Sequence, residues 1–90
     1  MIPKFTSEQT VATSNAVDFM EEHSIDGREL LNRHFAGDWG NQSTGDIKLN
    51  DAALENGSRV MSSFDTSGGT LWITTEWDRS VTTILMPSDY

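Results

Sequence analysis

His23 and His34 are the only two histidines in the chain and the first candidates for metal ligation or proton transfer. A zinc site needs further carboxylates or imidazoles converging on the same point, and the two rings lie eleven residues apart on separate predicted helices with no HExxH pattern around either. His34 falls on an apolar helical stripe and reads as a packed or half-exposed histidine. Serines are plentiful, but none sits in a nucleophile elbow. Gly68-Gly69 lacks the GxxxxGK[ST] or GxGxxG context of a phosphate cradle. The absence of cysteine removes disulfides, thiolate ligands and thiol nucleophiles. No catalytic, metal or cofactor site is expected, and the protein reads as a non-enzyme that acts by binding.

Two groups of residues are suited to that work. Asp18, Glu21, Glu22, Asp26 and Glu29 place five carboxylates within twelve residues, opposed only by Arg28. Such a cluster reads either as a solvated helix face or as a surface that docks on a basic protein or nucleoprotein, imitating DNA phosphates and steering association. The other group is aromatic. Trp72 and Trp77 have opposite parity on one predicted strand, so one of them must lie off the main core unless both sheet faces are covered. An exposed tryptophan with a polar rim is a protein-binding hot spot, whereas a packed one is core. Trp39, flanked by glycines in a loop, is expected to plug a core edge.

The elements that position these groups follow from periodicity and capping. Residues 1–12 read as a weakly ordered lead-in, and residues 13–90 as one α+β domain. Thr13 or Ser14 can cap a helix over about 13–23. Asp26 as N-cap, Glu29 at N3 and an Ile25–Leu30 staple predict a second helix over about 26–36, stopped by Gly37. A third is expected over about 46–56, ended by Gly57. The period then changes from 3.6 to 2. Strands are expected at about 59–64, 70–77 and 81–86, joined by short turns, as a three-stranded antiparallel meander covered by the helices.

Ninety residues with 14 acidic and six basic side chains carry a net charge of −8. Ten of the acids and four of the bases fall in residues 1–55, so the acidity belongs mainly to the helical half. A chain this acidic repels nucleic acid and anionic membrane, so neither is an expected partner. No stretch approaches the ~20 apolar residues of a membrane span, and a cytoplasmic protein is expected.

Two segments carry a family resemblance: Leu30-Leu31-Asn32-Arg33-His34-Phe35-Ala36-Gly37-Asp38-Trp39-Gly40, and Ile73-Thr74-Thr75-Glu76-Trp77-Asp78-Arg79-Ser80 running on to Leu85-Met86-Pro87-Ser88-Asp89-Tyr90. From about Ile25 to Tyr90 the chain resembles small acidic proteins encoded on bacterial plasmids, integrative conjugative elements and related mobile DNA, often labelled "plasmid-related protein" or "type I restriction endonuclease subunit M". The chain has neither the length nor the glycine-rich strand–helix turn of a methyltransferase subunit, so the second label does not describe its chemistry. The resemblance implies residence on mobile DNA in a bacterial host. Trp77 stands where that family is expected to have a small residue, often Ala. Two functions fit: inhibition of a host defence complex (anti-CRISPR or anti-restriction) through an acidic, DNA-mimicking surface, or a homo-oligomeric accessory module in plasmid or conjugative-element maintenance, whose sign would be a stable dimer with Trp72 or Trp77 buried between subunits.

Overall fold

Gln9–Ala12, inside the segment read as a lead-in, forms a strand, β1, that pairs in parallel with the last strand of the chain. The computed structural model describes residues 2–90. After β1 come helices α1 (Ser14–Glu22), α2 (Gly27–Phe35) and α3 (Thr44–Asn56). Strands β2 (Val60–Thr66), β3 (Gly69–Thr75) and β4 (Val81–Leu85) follow, then a short 3₁₀ turn at Pro87–Asp89. The expected three-stranded antiparallel meander is thus corrected to a four-stranded mixed sheet of order β1-β4-β3-β2. The physical reason lies in β1 itself. It is four residues long, half of them Gln and Thr, and its partner stands at the far end of the chain, so neither alternation nor a nearby turn marks it.

Helix boundaries follow local chemistry. Thr13 caps α1 by accepting from Ala16 N–H, and Ser43 caps α3 through Asp46 N–H, so that α3 begins at Thr44, two residues before the expected start. Asp26 caps α2 by accepting from Arg28 N–H. The expected capping box does not form: Asp26 caps through the N2 amide of Arg28 rather than the N3 amide of Glu29, and no bond from Glu29 back to the cap is present among the described residues. Gly37 ends α2 in the left-handed region at φ 81°, with Asp38 N–H reaching Arg33 O. The same closure ends α1, where Ile25 N–H reaches Met20 O at 2.9 Å, but there the left-handed position is Ser24 at φ 54°. A serine carries a steric penalty in that region that glycine does not. Ser24→Gly is expected to stabilise the protein by about 0.5–1 kcal/mol, read as a higher urea midpoint with an unchanged slope.

The inner sheet face carries Val60, Ser62 and Phe64 of β2, Leu71, Ile73 and Thr75 of β3, and Thr82 and Ile84 of β4, all buried. Ala16 of α1 and Leu30 of α2 pack on Phe64, Leu71, Ile73 and Ile84. Trp39, Ala53 and Val60 form a second cluster with Phe5, Ile47 and Leu54. Trp39 is 3% exposed and donates its Nε1–H to Asp51 at 2.9 Å, so it plugs the core edge as expected. Arg79, at the β3–β4 turn, donates to the carbonyls of Ala53 and Ser58 and lies 5.5 Å from the Phe5 ring centroid, which ties that turn to the end of α3.

The two sheet edges are treated differently. On the outer side of β2, the Asn50 amide takes the place of a neighbouring strand: Nδ2 donates to Met61 O at 2.8 Å and Oδ1 accepts Met61 N–H at 3.1 Å. One step along, Gly40 forms a bridge to Ser63, with Ser63 N–H bonded to Trp39 O and Asn41 N–H to Ser63 O. Asn41 Oδ1 then accepts Asp65 N–H. Every outward backbone N–H from Met61 to Asp65 is satisfied, which closes that edge to strand addition.

Candidate functional site

The turn from α1 into α2 is the structural basis of the acidic face. Ala16, Phe19, Met20 and His23 turn α1 inward, at i, i+3, i+4, i+7. That leaves Asp18, Glu21 and Glu22 on its solvent side. Asp26 stands at the cap of α2 and Glu29 in its first turn. All five side chains are exposed. Among the described residues only Asp26 has a cationic neighbour, Arg28 Nε at 3.7 Å, and both of these side chains are themselves largely exposed. A pair so exposed is worth little, so it does not neutralise the cluster. The phenyl ring of Phe19 lies beside Gly69, and the His23 ring covers Gly68 so closely that a Cβ there would sit 2.5 Å from ring atoms. The C-terminal half of α1, with Glu21 and Glu22, is thereby carried to the β2–β3 hairpin.

The tryptophans are not one site. Trp72 sits mid-strand on the outer sheet face, opposite Ser63 and Leu85, and is half-buried. The Tyr90 ring meets it edge-on at 5.6 Å, and Arg59 lies over Tyr90 and donates to its hydroxyl. Trp77 falls outside β3, which ends at Thr75; it stands in the turn before β4 and is 67% exposed. The expected strand over 70–77 is therefore too long, and the parity argument relating the two rings does not apply. A cleft of about 350 Å³ beside Tyr90, lined by Leu49, Asn50, Arg59 and Met61, holds no converging set of acid, base and nucleophile.

A buried polar chain is the feature that motif reasoning does not reveal. His34 is wholly buried, with Nδ1 2.5 Å from Ser62 Oγ and Nε2 2.8 Å from Thr75 Oγ1. Thr75 Oγ1 is 2.7 Å from Thr82 Oγ1, Thr82 donates to Ser7 Oγ, and Ser7 donates to Gln9 O. The terminal carbonyl can only accept, so the donors run in one direction. Thr75 then gives its proton to Thr82 and receives Nε2–H from His34, leaving Nδ1 to accept from the Ser62 hydroxyl. Burial, reinforced by the charge of Arg79, lowers the His34 pKa from 6.5 to about 3, so the ring is neutral. Phe5, Phe35 and Trp39 surround it edge-on or tilted. The Ser62–His34 pair is sealed from solvent, so it can hold the helix to the sheet but cannot meet a substrate. His23, by contrast, packs against Phe19 at 4.6 Å.

Among the described residues, no group of three or more His, Cys, Asp or Glu side chains is arranged to hold a metal ion, and no helix is long and apolar enough to cross a membrane. No protein-family model, curated protein or solved structure matches the chain, so the resemblance to proteins of mobile DNA rests on the two sequence segments alone.

Proposed function

We propose that this is a non-enzymatic protein-binding factor of a mobile element or phage that inhibits a host defence complex, docking the acidic face of α1 and α2 on a basic nucleic-acid-binding surface. The carrying observation is the set Asp18, Glu21, Glu22, Asp26 and Glu29: five exposed carboxylates flanking the connection from α1 to α2, with a single weak ion pair among them. Their charge is not spent inside the protein, so it remains available to a partner. Successive carboxylates on a helix face stand about 5–6 Å apart. A stiff array of this kind presents the dense negative charge that a DNA channel is built to receive. The polar core supports a rigid scaffold beneath it, since every buried side-chain polar atom among the described residues has a partner.

Binding of this type is expected to weaken steeply with ionic strength. Affinity for purified CRISPR effector and restriction complexes, measured by interferometry, should fall at least tenfold between about 50 and 300 mM salt, as exposed charges become screened. Binding that ignores salt, or no binding to any of these complexes at 50 mM, would remove the electrostatic reading.

A further inference from the structure

The segment that follows β4 lies over the outer face of the sheet and is fastened at both ends. On the β1 side Asp89 holds the start of α1. Its Oδ2 accepts from Thr13 Oγ1 at 2.7 Å and from Met86 N–H at 2.9 Å, and its Oδ1 accepts from Asn15 Nδ2 at 2.7 Å. These bonds, the one from Thr13 foremost, keep the Asp89 carboxyl below the ordinary carboxylate range, so it is anionic. At the other end the Tyr90 ring meets Trp72 of β3 edge-on, and its hydroxyl accepts from Arg59, just before β2. Between these points the turn Pro87–Asp89 packs on β3 yet has no buried residue of its own. Hydrogen bonds at or near the surface and one aromatic edge therefore hold the segment down.

What lies beneath it is apolar. Trp72 and Leu85 are register partners on the outer face, one half-buried and the other 7% exposed. Tyr90 also lines the cleft formed with Leu49, Arg59 and Met61, so the same ring stands between that cleft and Trp72.

We infer that Pro87–Tyr90 is a lid over the outer sheet face, released at Asp89 without unfolding the domain, that gates Trp72 and joins it to the neighbouring cleft when raised. Elements with few buried apolar contacts and exposed hydrogen bonds open at the low end of a protein's free-energy scale. Met86, partly buried against the core, is the fixed point from which the lid swings. The core itself lies on the other face: Ile73 and Ile84, next to Trp72 and Leu85 in the chain, pack with Ala16 and Leu30. Thr13 accepts Ala16 N–H whether or not Asp89 is in place, so α1 stays capped on release. The lid is independent of the acidic face and holds whatever partner that face takes.

Fluorine NMR of the intact protein labelled with fluorotryptophan tests this, with Trp39, 3% exposed, and Trp77, 67% exposed, as internal standards. The difference in shift between water and heavy water grows with exposure. In the wild type Trp72 should fall between the two standards. In Asp89→Ala it should move to the Trp77 value while Trp39 stays unchanged. Amide exchange of the wild type provides the same test if that variant does not fold. Met86 N–H, which Asp89 holds, should exchange about a hundredfold or more faster than the ladder amides of β3, at a rate that low denaturant does not alter. Trp72 unmoved in a folded Asp89→Ala, Trp39 exposed along with it, or Met86 exchanging at the β3 rate would overturn the inference.

Discussion

Replacing His34 with alanine is expected to cost about 3–5 kcal/mol, most of the stability of a domain for which about 5–13 kcal/mol is the ordinary range. The loss has two parts. A ring packed against Phe5, Phe35 and Trp39 leaves a cavity, the Ser62 hydroxyl loses its acceptor, and the Thr75 hydroxyl keeps Thr82 but loses the N–H it accepts from. A second signature separates this histidine from an ordinary core residue. Its pKa lies near 3 in the native state against 6.5 unfolded, because burial and, secondarily, Arg79 oppose the charged ring. At pH 5 the unfolded chain binds a proton there and the native protein does not, so acid favours unfolding. Stability should fall by about 1.4 kcal/mol per pH unit as pH drops through the window between 6.5 and 3. His34→Gln keeps one donor and one acceptor and does not titrate. Urea unfolding of that variant should show this slope removed, with the decline deferred until carboxylates such as Asp38, held low by its bond to Arg33, take up protons. An unchanged acid slope in His34→Gln would show that the buried ring is not its source.

Gly40→Ala is expected to cost at least about 3 kcal/mol, which for a domain of this size lowers Tm by roughly 12 °C or more. Gly40 adopts φ 75°, where an L side chain is strained. A Cβ would also overlap the Ser63 carbonyl oxygen and come within 2.7 Å of the Phe64 ring. Ser63 O is the acceptor that holds Asn41 against β2, so the clash acts on the bridge that seals the sheet edge. Gly57 supplies the control. It has the same φ of 75° at the end of α3, yet nothing lies within 4 Å of the Cβ position. Gly57→Ala should therefore cost only the conformational part, about 1–2 kcal/mol. Equal thermal shifts for the two variants would mean that the approach of Gly40 to Ser63 contributes nothing.

Helix starts and stops were legible where one residue does the work locally. Asp26, Gly37 and Gly57 each do what their side chains, or the lack of one, permit. β1 was not legible, because four short-range residues of mixed polarity acquire their role from β4, and only the tertiary fold brings that strand alongside. The length of β3 was overstated because Thr74, Thr75 and Glu76 continue the alternation up to Trp77, while the turn to β4 has already begun. The polar core left a trace that periodicity does display. Ser62, Thr75 and Thr82 all occupy inward strand positions, and His34 occupies the apolar stripe of α2; four polar residues at core positions imply that they satisfy one another. The acidic cluster was readable in full from its spacing. Its direction across the sheet needed the contacts of Phe19 and His23 with the β2–β3 hairpin.

The central claim is that the carboxylates of α1 and α2 occupy a site where DNA would otherwise bind. Displacement of a labelled duplex from a purified defence complex tests it most directly, comparing wild type with a variant carrying Asp18→Asn, Glu21→Gln, Glu22→Gln, Asp26→Asn and Glu29→Gln. The wild type should displace the duplex, and the variant, still folded by circular dichroism, should need at least a hundredfold higher concentration, about 0.5–1 kcal/mol for each charge removed. Displacement by the neutralised variant at the wild-type concentration would contradict the account.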